Sequence, residues 1–155
     1  MQRFFTSFKP YLWLTQGVLA MSMLLGLQVH AQNNVMKVIP FGTLQFSKKE
    51  PGNPQIAPVR GTPEKEGSSI IMKMGRGAFP LHTHTSDYEL VVIKGTMKHW
   101  GANQTQAQAV KMPPGSYWYQ PAGEVHGDAC ESDECVWYIT FKGPRDFALA
   151  DTAKK

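Results

Sequence analysis

With 155 residues and a formal charge of +4 from 16 basic and 12 acidic side chains, the chain is sized for one domain plus a short extra segment. Arg3 and Lys9 supply two of the positive charges. Without them fourteen basic residues face twelve acidic ones, a net of +2, which is no electrostatic footprint for a nucleic-acid partner.

The chain opens with a basic, acid-free stretch, MQRFFTSFK, followed by the apolar run YLWLTQGVLAMSMLLGL and by VHA, which puts small residues at Val29 and Ala31. This is the layout of a secretory signal peptide over residues 1–31, cleaved after Ala31. A retained membrane anchor is the competing reading, since the apolar run is near the lower limit of about 17 residues for a spanning helix. Gln16 and Gly17 interrupt it, which favours cleavage and a product free of the membrane. Residues 32–155 then form a single exported domain, periplasmic or secreted. In such an oxidising compartment Cys130 and Cys135 can persist as a disulfide.

Beyond residue 32 the apolar residues recur in short runs punctuated by glycine and proline, with no amphipathic helix of more than two turns. Strands are expected at 35–39, 43–46, 69–74, 88–93, 96–100, 107–112, 117–119 and 136–141. That pattern reads as an all-β sandwich or barrel. The Pro-rich, charged stretch 47–66 reads as a surface loop, Lys94-Gly95 as a tight hairpin turn, and 148–155 as a frayed tail. Cys130 and Cys135 bracket an acidic loop and are expected to face each other across a hairpin.

The chemistry concentrates in PLHTHTSDYELVVIKG, residues 80–95. On an extended strand His82 and His84 point to one face. On the next expected strand Glu89, Val91 and Ile93 share a face, and a buried Glu89 would be costly unless it bound a cation. Two imidazoles and a carboxylate converging from adjacent strands make metal ligands. His126 follows the turn Pro121-Ala122-Gly123 and supplies a fourth candidate. His99, in MKHWG, is expected to be a solvent-facing strand residue. Asp87, Glu124 and Asp128 are read as solvated turn carboxylates. Most of Trp100, Tyr117, Trp118, Tyr119, Trp137 and Tyr138 are read as packing residues.

These spacings resemble the two motifs of the cupins, small double-stranded β-helix (jelly-roll) barrels. The first motif runs Gly, five residues, His-x-His, three or four residues, Glu, six residues, Gly. Here His82-x-His84 is followed by Glu89 after four residues and by Gly95 after five more. The second runs Gly, five residues, Pro-x-Gly, two residues, His, three residues, Asn. Gly115, Pro121, Gly123 and His126 match it, with Cys130 in place of asparagine. The surrounding wording is most similar to the cupins related to the metal-binding half of zinc anti-sigma factors, including an exported subgroup of unknown function.

The resemblance implies His82, His84, Glu89 and His126 as ligands of one divalent transition metal, with Fe, Mn, Zn, Ni and Cu not distinguished by the donor set. It also implies a small-molecule ligand or substrate and, since cupins are commonly dimers, a homodimer. Three functions are compatible with it. One is a metal-dependent enzyme that activates dioxygen or polarises a carbonyl of a small oxygenated substrate. The others are a non-catalytic binding or oxidant-sensing module and a barrel whose metal only stabilises the fold.

Overall fold

The computed structural model of the protein describes residues 35–150. The signal-peptide expectation at 1–31 and the end of the expected tail lie outside these residues. The chain divides into Met1–Met36 and Lys37–Lys155, and every element below belongs to the second unit.

Among the described residues, seven strands form the architecture: β1 (Gln55–Arg60), β2 (Ser68–Thr83), β3 (Tyr88–Lys94), β4 (Met97–Gly101), β5 (Tyr117–Gln120), β6 (His126–Phe141) and β7 (Ala148–Leu149). A 3-10 turn covers Phe41–Thr43. All pairings are antiparallel, in the order β1-β2-β6-β3-β5, with β4 also on β6 and β7 on β2. Among the described residues no helix is long and apolar enough to cross a membrane.

Two sixteen-residue strands organise this sheet. β2 and β6 pair from Ser68 opposite Phe141 to His82 opposite His126, with a break where Gly75 faces Glu134 but Gly77 faces Cys130. Residues 131–133 therefore bulge out opposite Arg76. A bulge bends its strand and sharpens its twist. The two halves of β6 consequently serve different neighbours: His126 to Cys130 pair with β4, and Val136 to Phe141 with β3. The disulfide Cys130–Cys135 closes the base of the bulge, with Cα atoms 5.8 Å apart. The two cysteines thus flank a bulge inside one long strand, where the sequence reading had a hairpin between two.

Side-chain alternation decides what the barrel encloses. Along β3, Tyr88, Leu90 and Val92 are buried while Glu89, Val91 and Ile93 are exposed. Along β5, Trp118 and Gln120 point inward. With Ile70, Met72, Met97, Trp137, Ile139 and Phe141 these inward residues make the main core. The turn after β3 needs glycine at Gly95. Its φ is +80°, and a Cβ there would lie 2.5 Å from the Glu134 carbonyl oxygen and 2.8 Å from Cys135 Sγ.

Several boundaries differ from the sequence reading. Residues 35–39 and 43–46 form no strand, and 107–112 forms none either, touching the sheet only where Met112 bridges to Met97. The stretch 47–66 is not all loop: residues 55–60 form edge strand β1, a position where Pro58 is tolerated. Ala148 and Leu149 are not frayed but pair with Thr83 and His82.

Candidate metal centre

His82 is the last residue but one of β2, His126 opens β6, and the two are direct partners across the ladder, so one pairing brings together residues 44 positions apart. His84 follows just beyond β2, tied down by the Pro121-Ala122-Gly123 turn through a Gly123 N–H donated to the His84 carbonyl at 2.8 Å. One ligand atom from each of His82, His84 and His126 lies within 4.8 Å of the other two. The ring of His82 is 4.2 Å from that of His126 and 4.9 Å from that of His84.

The hydrogen bonds select which nitrogen each ring offers. His82 Nδ1 meets the Pro80 carbonyl at 2.8 Å, His126 Nδ1 meets the Glu124 carbonyl at 2.9 Å, and His84 Nδ1 meets the Asp146 carbonyl. A carbonyl only accepts, so each Nδ1 carries the proton and each Nε2 keeps its lone pair. Burial, the largest influence on each, pushes all three imidazoles below the ordinary histidine value, which favours the neutral, ligating form. Three neutral Nε2 donors, oriented through Nδ1 by fixed acceptors, suit a divalent transition metal.

Glu89 does not join them. It is exposed on the outer face of β3, opposite Tyr119 and Thr140. The residue that faces inward is its neighbour Tyr88, whose hydroxyl lies 3.2 Å from His126 Nε2 and 3.4 Å from Trp118 Nε1. Burial first, and the nearby Asp128 second, raise the Tyr88 phenol well above its usual value, so it is a neutral donor here. The sequence carried a signal for this. The motif's six-residue interval before Gly95 leads back to Tyr88, whereas Glu89 leaves only five.

The carboxylate that does reach the centre is Asp128, 7% exposed where a solvated turn residue was expected. Its Oδ2 lies 3.7 Å from His82 Nε2 and 3.9 Å from His126 Nε2. Its Oδ1 is held 2.6 Å from His99 Nδ1. His99 is therefore no solvent-facing residue: it stacks on Trp118 at 4.9 Å and donates from Nε2 to Gln120 Oε1 at 3.0 Å. Gln120 in turn spends its amide protons on the carbonyls of Pro121 and Glu124, which fixes that direction. Parity along β6 shows Asp128 on the same face as His126, a relation visible once 126–141 is read as strand. The tight approach at Gly127, where a Cβ would lie 2.5 Å from the Trp100 ring, fixes the local path between the two.

His82, His84, Tyr88 and Asp128 border a cavity of about 250 Å³. Its other walls are mostly apolar, with Met72, Leu90, Trp118, Ile139 and Phe141 among them. Phe147, from the segment leading to β7, stacks on His82 with ring centres 4.4 Å apart. A mostly apolar pocket with a few convergent polar groups is what small-ligand sites share.

Comparisons with known proteins agree with this architecture. A "DNA damage-repair/toleration protein DRT102" from Arabidopsis thaliana is 36% identical over 101 residues, 63% of this chain and 30% of that protein. An "Acetylacetone-cleaving enzyme" from Acinetobacter johnsonii is 29% identical over 90 residues, 57% of this chain and 58% of that enzyme. The chain thus spans under two thirds of the length of either relative. Among solved structures, the polyketide cyclase RemF from Streptomyces resistomycificus superposes with a TM-score of 0.61 at 20% identity, covering 77% of this chain and 89% of that one. An RmlC-like cupin from Shewanella frigidimarina does so with a TM-score of 0.55 at 13% identity, covering 71% and 92%. Residues 45–149 match the family described as a domain of unknown function, DUF4437, and the chain belongs to that family, built on the all-β double-stranded β-helix of the cupins.

Proposed function

We propose that the protein is a metal-dependent enzyme acting on a small β-dicarbonyl compound, with His82, His84 and His126 holding one divalent transition metal. The observation that carries this reading is the shared orientation of three buried or half-buried imidazoles, each tied at Nδ1 to a backbone carbonyl with its Nε2 left as the ligating atom, beside an apolar cavity that His82 and His84 line. The similarity to an acetylacetone-cleaving enzyme supports the substrate class. A bound divalent ion would polarise carbonyl oxygens as a Lewis acid, and iron or manganese would add redox chemistry with dioxygen.

The chain's own residues supply the rest. Three neutral donors leave coordination positions for a substrate to occupy. Apolar walls exclude water and strengthen the polar contacts made inside. Once His126 Nε2 is engaged by a metal, the Tyr88 hydroxyl loses its acceptor and is free to donate to a substrate oxygen. Asp128, braced by His99, is an acceptor beside the same positions.

Export belongs to the same proposal, supported by the basic, apolar and small-residue layout of residues 1–31 and by a disulfide. So do kinship with the exported relatives of zinc anti-sigma cupins and a homodimer, for which the exposed apolar residues Val91, Tyr117 and Tyr138 on the outer face offer a surface. The experiment is metal analysis of the protein from its native compartment, followed by oxygen-uptake and product assays with acetylacetone after loading with iron, manganese or zinc. Turnover that vanishes in His84→Ala supports the proposal. Absence of metal from the native protein, with no turnover after loading, would end it.

A further inference from the structure

We infer that the ligand of this cavity carries a carboxylate, recognised by Arg145, so that the substrate class is a small dioxo acid rather than a neutral diketone. The inference rests on the proposed function and deepens it.

Arg145 lines the same cavity as His82 and His84. It lies in the connection between β6 and β7, and that connection is held at every residue around it. The Arg145 N–H donates to the Pro63 carbonyl, Ser86 Oγ donates to the Pro144 carbonyl at 2.9 Å, and Asp146 accepts from Thr85 N at 2.9 Å and from Thr85 Oγ1 at 2.6 Å. The next residue, Phe147, is stacked on His82. Arg145 thus lines the cavity of His82, His84 and Asp128 from a fixed backbone.

Its charge has no partner of its own. No hydrogen bond of the guanidinium and no ion pair within 4.0 Å occurs among the described residues, although Glu64 and Asp146 are close enough to be felt. Asp146 is already engaged by Thr85. Asp128, the only carboxylate lining the cavity among the described residues, is already paired with His99. Partial burial works against the charge, pushing the Arg145 guanidinium below its ordinary value, which an anionic partner would offset. The only buried side-chain polar atom lacking a partner among the described residues is Ser68 Oγ, so no Arg145 nitrogen is both fully buried and unpaired.

A divalent metal on three neutral imidazoles adds further positive charge to this cavity, which favours an anionic ligand at both ends. A guanidinium presents two parallel N–H donors that match a planar carboxylate. A phosphate would call for more cationic donors than the single arginine these apolar walls provide. A 2,4-dioxo acid fits: its dicarbonyl oxygens suit the metal end and its carboxylate suits Arg145.

The test is calorimetric titration of zinc-loaded protein with 2,4-dioxopentanoate and, separately, with acetylacetone. The wild type is expected to bind the dioxo acid on the order of tenfold or more tightly than the diketone. Arg145→Gln is expected to abolish that preference while changing acetylacetone binding less than about twofold. Arg145→Lys, which keeps the charge without the fork, is expected to fall between, and it carries the comparison if the glutamine variant does not fold. Equal affinity for both probes in the wild type, or a preference that survives in both variants, would overturn the inference and leave the dicarbonyl site standing. Binding of neither probe to protein of verified zinc content would overturn the proposed function and this inference with it.

Discussion

Replacing Tyr88 by phenylalanine separates two roles for the inward residue of β3. In the metal-free protein its hydroxyl donates to His126 Nε2 over 3.2 Å, since His126 Nδ1 already carries the ring's proton. A neutral hydrogen bond is worth about 0.5–1.5 kcal/mol net. This one is at the long end of the usual range, so Tyr88→Phe is expected to destabilise the metal-free protein by about 1 kcal/mol. An ion on Nε2 removes that bond from the wild type, so the loaded forms of the two proteins differ less. The difference must then emerge as metal binding about fivefold tighter in Tyr88→Phe than in wild type, at about 1.4 kcal/mol per factor of ten. Urea unfolding in the presence of a chelator measures the first quantity, and zinc titration against a competing chelator measures the second. Binding weakened tenfold or more in Tyr88→Phe would make the phenol a metal ligand and refute the reasoning.

Asp128→Asn is expected to weaken metal binding by about tenfold or more, because it removes the negative charge that lies 3.7 and 3.9 Å from two ligating nitrogens, and the same competition titration reads it. Cys130→Ser with Cys135→Ser is expected to lower unfolding free energy by about 2 kcal/mol for a loop this short, measured by urea denaturation without reductant. Burial sets His82, His84 and His126 below 6.5 in the folded state, so the unfolded chain binds more protons in acid. The stability they contribute is therefore complete above pH 6.5 and declines as pH falls below it. A thermal melting series from pH 8 to 4 on metal-free protein checks this, and a midpoint that rises on acidification through that window would contradict it.

The histidines of the centre were legible because their spacing is set by backbone geometry: i and i+2 share a strand face, and the Pro121-Ala122-Gly123 turn fixes where His126 emerges. Glu89 was misread because a one-residue step along a strand exchanges inside for outside, and the row Glu89, Val91, Ile93 looks as apolar as Tyr88, Leu90, Val92. Burial, not composition, distinguishes the two rows. Asp128 and His99 were hidden for a different reason. Their pairing depends on β4 lying beside the first half of β6, a long-range contact with His99 opposite Asp128 in the ladder, and no local pattern announces it. The bend at residues 131–133 was half visible: the cysteines signalled a closure, but glycines Gly75 and Gly77 on the facing strand were needed to tell a bulge from a hairpin. Arg145 and Phe147 sit in a stretch with no strand pattern, where only tertiary packing decides orientation.

X-ray absorption spectroscopy of cobalt-loaded protein, with Glu89→Gln measured alongside wild type, bears most directly on the centre. Three imidazole nitrogens around the ion, with the same spectrum in both proteins, is the predicted result. Two or fewer imidazoles, or a coordination sphere altered by Glu89→Gln, would contradict the three-histidine site.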